Sequence, residues 1–270
     1  MSAVGTPLPS SLPSGKRVPS AREAGEGTRQ AALLDIANLD AGYGEMQVLR
    51  GITMSVRPAE IVAMVGSNGA GKTTLLRAIS RIIPSKGDVR FDGRPLDHAT
   101  ADDVFAMGLV QVPEGRQLFD RMSVEENLRM GAYRRRDAKG IAEDLDRMYA
   151  IFPRLADRRR QIAGSMSGGE QQMCAMARAL MAKPRLMMVD EMSLGLAPVI
   201  VDLLLDTMAK IRADGVTVLL VEQDVHAALS VADRGYVLET GEIVREGSAR
   251  ELESDPEVQR AYLGDITGSA

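Results

Sequence analysis

Hydrophobic and polar positions change character several times along this chain. Residues 1–32 carry Pro, Ser, Gly and scattered charge with almost no apolar periodicity. Such a segment buries too little surface to offset its ordering entropy, so a disordered tail is expected there. From Leu33 short apolar runs begin: LLDIANL, ITMSV, EIVAMVG and DVRFDG. The first and last read as half-buried antiparallel strands, whereas IVAMV is continuous enough to be buried on both faces. GLVQV, LMMVD and VTVLLVE are further buried runs, and helical patterns lie between them, including Met173, Met176, Ala177 and Leu180 at i, i+3, i+4, i+7. Buried strands alternating with helices predict an α/β fold with a mostly parallel sheet, preceded here by an N-terminal antiparallel β subdomain. Residues 115–165 differ in being helical, strand-free and rich in arginine, which predicts a helical subdomain with Arg134–Arg136 and Arg158–Arg160 on solvated faces. YVLETGEIVREG reads as a hairpin turning at Thr240 and Gly241, and residues 265–270 as a short tail.

Composition narrows the function classes. A chain of 270 residues supports one substantial core with a smaller subdomain. The formal charge of -4 gives no chain-wide footprint for nucleic acid or anionic lipid, so neither is expected as a direct partner. No apolar run reaches the ~20 residues that span a bilayer, and the N-terminus lacks the layout of a secretory signal. A cytoplasmic location is expected, with any membrane contact made through partners. Cys174 is the sole cysteine, without a partner for a disulfide or a metal, and reads as a small core residue. Sixteen methionines against four phenylalanines and no tryptophan predict a core filled by flexible side chains.

The first candidate chemistry follows IVAMV directly. Gly66, Ser67, Asn68, Gly69, Ala70, Gly71, Lys72, Thr73 and Thr74 fit G-x-x-x-x-G-K-[ST] and lead into the apolar helix LLRAI. Glycines let successive backbone N–H groups face inward, and the helix N-terminus adds its donors and positive dipole end. Lys72 would supply a point charge for the β and γ phosphates of ATP and Thr73 a hydroxyl for Mg2+. RLMMVDE then ends an apolar strand in Asp190 and Glu191, where a nucleotide's Mg2+ lies in such a sheet. Asp190 would hold the metal's shell and Glu191 would polarise the attacking water. These two elements predict a nucleotide triphosphatase with a P-loop core.

SMSGGEQQMCAMARAL is more discriminating. Ser167 and Glu170 have capping-box spacing, and Gly168 and Gly169 would let an anion approach the helix N-terminus. SGGEQQ at this distance before RLMMVDE resembles the signature of ATP-binding cassette proteins, and the resemblance runs from about Leu33 to Gly264. It implies a head-to-tail dimer in which one subunit's signature helix caps the γ phosphate held by the other's phosphate loop. Tyr43 matches the aromatic residue that stacks on adenine, GLVQVPEGRQLF the loop that couples to membrane subunits, and SLGLAP the dimer-contact loop. VPEGRQLF, ENLRMGAYRRR, FPRLADRRRQ, SLGLAPVIV, LLVEQ and DPEVQRAYLG together resemble the second ATPase subunit of importers for branched-chain and other hydrophobic amino acids. A related branch imports urea or short amides. The resemblance implies a second cassette ATPase, two multi-span permeases and, indirectly, a substrate-binding protein as partners, at the cytoplasmic face of the inner membrane.

Four positions depart from the general cassette pattern. Glu114 replaces the coupling-loop glutamine, a metal-side position, Leu196 replaces the dimer-loop aspartate, and Gln223 replaces the switch histidine. The first and third are typical of this branch. Met192 stands where the family usually has proline. The amide of Gln223 can still hydrogen-bond the γ phosphate or the water. His226 is expected on the surface of the next helix, with Glu222 as strand-end solvation and Asp224 as a helix cap. A GTPase would need N-K-x-D, which is absent, and neither it nor a small-molecule kinase needs SGGEQ. Chromosome-maintenance ATPases separate the two motifs by long heptad arms, whereas fewer than a hundred residues part Lys72 from Ser167 here, and translation-factor cassettes come two to a chain.

Overall fold

Buried runs and half-buried runs sort into two different sheets in a computed structural model of the protein, described over residues 32–263. The expected tails therefore lie outside the described residues, apart from Ala32. Strands β1 (Leu34–Tyr43), β2 (Met46–Val56), β4 (Ser85–Phe91) and β5 (Arg94–Pro95) form an antiparallel sheet in the order β2-β1-β4-β5. Strands β3 (Ile61–Val65), β6 (Leu109–Val112), β7 (Leu186–Asp190), β8 (Thr217–Glu222) and β9 (Arg234–Glu239) run parallel. With the antiparallel edge strand β10 (Glu242–Ser248) they form a sheet of order β10-β9-β3-β8-β7-β6.

The parallel strands are buried on both faces because each face feeds a separate core. Ile61, Ala63 and Val65 of β3 pack into one apolar cluster, Val62 and Met64 into the other. The second cluster is shared with the antiparallel sheet, through Leu34, Ile36, Val89 and Phe91. Arg234 stitches the two sheets, donating to Glu60 on one side and to the Ser55 carbonyl on the other.

Helices α1 (Lys72–Ile79), α6 (Gly168–Leu180), α7 (Pro198–Ala213) and α8 (Val225–Val231) connect the parallel strands, joined by α2 (Ala101–Ala106) and, after β10, α9 (Ala249–Ser254). Residues 115–165 hold α3 (Val124–Gly131), α4 (Ala138–Ile151) and α5 (Pro153–Asp157). The expectation of a strand-free region holds, with one isolated bridge between Ser123 and Ile162.

Arg134, Arg136, Arg159 and Arg160 are exposed, as the charge runs predict, but Arg135 and Arg158 correct that reading. Arg135 is largely buried, pairs with Asp137 at 2.7 Å and Asp144 at 2.6 Å, and donates to the Met181 carbonyl at 2.9 Å. Arg158 pairs with Glu170 at 2.6 Å. A planar guanidinium can serve several acceptors at once, so it ties the helical region to α6 where a lysine would point into water.

Met173, Met176, Ala177 and Leu180 are buried on α6, as their spacing predicts, and Cys174 is fully buried among them. Burial pushes the Cys174 thiol up to about 12, against the opposing charge of Arg178. Because the thiolate is the reactive form, iodoacetamide at pH 8.5 should leave the native protein unlabelled and should label Cys174 fully once it is unfolded. Intact-mass measurement checks this; rapid labelling without denaturant would contradict the packing described.

Candidate nucleotide site

The phosphate loop is shaped by what lies behind it. A Cβ at position 66 would sit 2.3 Å from the Leu238 carbonyl oxygen, so only glycine lets the loop leave β3 against β9. Gly71 caps α1 at φ 108°, a left-handed conformation costly for other residues. The hairpin between β9 and β10 turns at Thr240 (φ 45°) and Gly241 (φ 85°), as its sequence predicts. Its tip is wedged behind the loop. The Gly241 amide donates to the Ala70 carbonyl at 2.9 Å, the Gly241 carbonyl accepts from Arg50 N at 2.8 Å, and a Cβ at 241 would meet the Val48 carbonyl oxygen at 1.8 Å.

Lys72 is buried, and its Nζ donates to the carbonyls of Gly66 (2.8 Å) and Ser67 (3.1 Å). It also pairs with Glu191 Oε1 at 3.1 Å, so the predicted phosphate-binding cation and the predicted water-activating carboxylate share one site. Glu191 follows β7 with φ 44°, and its amide extends the ladder by donating to the Val221 carbonyl at 2.9 Å.

Asp190 ends β7 fully buried, and neither carboxylate oxygen has a hydrogen-bond partner. Burial pushes its pKa up to about 6; the nearby Thr73 hydroxyl and Lys72 oppose the rise, while Glu191 and Glu114 add to it. A buried carboxylate without donors is costly unless it has a charge to meet. Two orphaned oxygens beside a threonine hydroxyl suit a hard divalent cation that keeps most of its waters, as Mg2+ does. Among the described residues no cluster of three His, Cys, Asp or Glu offers an all-protein cage.

Other predicted residues are distributed around this centre. Tyr43 is partly exposed at the end of β1, its hydroxyl accepting from Arg77 at 3.0 Å. Glu114 is exposed in a loop in which Gly115, Arg116 and Gln117 all have positive φ. Gln223 lines a cavity of about 520 Å³ together with Glu191, Leu194, Glu222 and Tyr262. His226 is exposed on α8 and Asp224 caps that helix, accepting from Ala227 N at 2.9 Å, both as expected.

The signature segment stands apart: among the described residues no hydrogen bond or ion pair joins Ser167–Glu170 to Gly66–Thr74. Its capping box is complete, with Glu170 Oε2 accepting from Ser167 N at 3.1 Å and Ser167 Oγ accepting from Glu170 N at 3.4 Å. Burial opposes ionisation of Glu170, but the Ser167 bonds and Arg158 outweigh it and hold the carboxyl below its usual range. The two glycines are not equivalent. Gly168 faces the Arg116 guanidinium, whereas a Cβ at Gly169 would meet Ile200 of α7 at 2.9 Å, so packing gives glycine there a reason of its own beside anion access.

Glu222 corrects the expectation of strand-end solvation. It is 1% exposed, and its carboxylate accepts from Ser193 N at 3.0 Å and from Ser193 Oγ at 2.8 Å. A carboxylate ending a strand reads the same in sequence whether water or a distant loop awaits it. Met192 is also accounted for: its side chain is buried in the first core cluster and anchors the loop after Glu191.

The chain is similar to known proteins over nearly all of its described length. The ABC transporter family model matches residues 49–193. The high-affinity branched-chain amino acid transport ATP-binding protein BraG of Pseudomonas aeruginosa is 42% identical over 86% of this chain and 100% of BraG. The probable branched-chain amino acid transport ATP-binding protein LivF of Archaeoglobus fulgidus is 33% identical over 87% of this chain and 100% of its own length. Among solved structures, the ADP conformation of an ATP-binding cassette of an ABC transporter superposes with a TM-score of 0.77, at 25% identity, covering 87% of this chain and 100% of that one.

Proposed function

Since this chain belongs to the ATP-binding cassette (ABC) transporter family, whose ATPase powers transport, we propose that its cargo is a branched-chain or other hydrophobic amino acid and that it works in an importer. The carrying observation is the 42% identity to BraG across the whole of that protein. VPEGRQLF, typical of the same branch, supports the reading independently.

In this reading backbone amides of residues 66–74 and the Lys72 ammonium bind the phosphates of ATP, and Tyr43 stacks on adenine. Thr73 and Asp190, with Glu114 nearby, would hold Mg2+, which would supply positive charge to offset that of the phosphate oxygens. Glu191 takes a proton from the attacking water, and Gln223 hydrogen-bonds the water or the γ phosphate. Ser167, Gly168, Gly169 and Glu170 serve the nucleotide bound by a second cassette ATPase, which accords with their separation from the chain's own phosphate loop.

A groove of about 410 Å³, lined by Phe105, Val110, Pro113, Phe119, Tyr133 and Arg178, opens between β6 and the helical region next to the Glu114 loop. Phe105 and Tyr133 stack at its rim with ring centroids 5.3 Å apart. This is the place we assign to a permease subunit. No described helix is long and apolar enough to cross a membrane, which accords with a peripheral position at the cytoplasmic face of the inner membrane, held there by two permeases fed by a substrate-binding protein.

Deleting the gene should abolish most high-affinity uptake of leucine, isoleucine and valine, measured with labelled amino acids, while urea and short-amide uptake stays at the parent level. Loss of urea or amide uptake alone would move the cargo to the related branch. Unchanged uptake of every one of these would end the importer reading.

A further inference from the structure

Glu222 is fully buried, yet among the described residues no cation pairs with it, and its carboxylate accepts hydrogen bonds from Ser193 alone. An apolar side chain would end β8 at less cost, because a buried carboxylate must recover its lost hydration from its partners. The buried Glu60, by contrast, has the Arg234 guanidinium at 2.8 Å. The grip falls on a short, constrained segment. Glu191 occupies a left-handed backbone conformation that is strained for a non-glycine residue. Three contacts hold the segment there: the Glu191 amide on Val221 and Ser193 on Glu222, both at the end of β8, and the Met192 side chain in the core. Beyond them the Ser193 carbonyl accepts from Leu196 N at 3.1 Å, which starts the dimer-contact loop.

We propose that Glu222 is a positioning residue for hydrolysis, a clamp that holds Ser193 and so keeps the Glu191 carboxylate aimed at the Lys72 site. The same clamp sets Glu191 at a fixed place relative to Gln223, the residue that follows β8. The inference rests on the reading of Glu191 as the group that activates water. It assigns to the strand end a mechanical task, since both Glu222 carboxylate oxygens are engaged by Ser193.

The test uses the full-length chain and five variants: Glu222→Ala, Glu222→Gln, Ser193→Ala, the Ser193→Ala/Glu222→Ala double and Glu191→Gln. Glu222→Ala should lower kcat for ATP at least about tenfold with KM little changed, as expected when a reacting group is misplaced and binding is not. Glu222→Gln should retain most activity, because its amide oxygen still accepts from Ser193 N and its NH2 can donate to Ser193 Oγ. Ser193→Ala removes only the hydroxyl and should give a smaller loss that adds nothing in the Glu222→Ala background. Hydrogen exchange of the peptide spanning 191–197 supplies a readout free of activity: it should quicken about tenfold in Glu222→Ala and stay at the parent rate in Glu222→Gln. Should Glu222→Ala not fold, the exchange and kcat of Ser193→Ala decide in its place. Parent-like kcat and parent-like exchange in a folded Glu222→Ala would overturn the proposal. If Glu191→Gln keeps its kcat, the role of Glu191 falls instead, while exchange still reports whether the clamp exists.

Discussion

Glu191→Gln should bind ATP as the parent does and hydrolyse it about a hundredfold more slowly, or worse. The amide keeps the size and shape of the side chain but cannot take a proton from water, so a loss of that size, roughly 2.7 kcal/mol in the barrier, falls on chemistry alone. The structure adds a second consequence. Glu191 Oε1 lies 3.1 Å from Lys72 Nζ, and the amide removes the negative partner of that ammonium. Lys72 then has less holding it at the Glu191 side, so affinity for the triphosphate should be equal or higher. ATP should hold two cassettes together in this variant, visible as a dimer by size-exclusion chromatography with ATP and as a monomer without it. Equal turnover by variant and parent at saturating ATP would remove Glu191 from the mechanism.

Gln223→Ala should cost about 2–3 kcal/mol in the barrier if one transition-state hydrogen bond is lost, a fall of roughly 30- to 150-fold. The alanine deletes donor and acceptor together, in a cavity that Gln223 shares with Glu191. Gln223→His should cost less and should introduce a pH dependence. An amide does not titrate between pH 5 and 9, whereas a histidine there changes charge near its unperturbed value of ~6.5, so turnover of this variant should gain a step around that pH. ATPase rate against pH for the assembled transporter checks both. If Gln223→Ala matched the parent over the whole range, Gln223 would be only the residue that follows a strand.

The two substitutions differ in how visible their sites are from sequence. The phosphate loop was legible residue by residue, because strand, glycine-rich turn and helix are contiguous and each position has a local physical reason. So were the buried strands, the β9–β10 hairpin, and the stripe of Met173, Met176, Ala177 and Leu180. What escaped were side chains whose partners arrive from far along the chain. Glu222 reads as a solvated strand end until Ser193 is brought to it, and Arg135 as part of a charge run until Asp144 and Met181 surround it. Gly169 has two reasons to be glycine, and only one is legible in sequence: anion approach at a helix N-terminus is local, whereas the packing of Ile200 from α7 is not. Periodicity reports which face is dry, but not which distant group completes a hydrogen bond.

The hairpin tip behind the phosphate loop carries a consequence for how the protein comes into being. β3 pairs with β9, and the Gly241 amide holds the Ala70 carbonyl, so support for residues 66–74 comes from a part of the chain translated well over a hundred residues later. A nascent chain that has emerged from the ribosome only as far as α7 holds the entire phosphate-loop sequence without its backing. Nucleotide capture should therefore be among the last competences the polypeptide acquires during synthesis, and a product cut short before Gly241 should bind ATP more weakly than the intact chain.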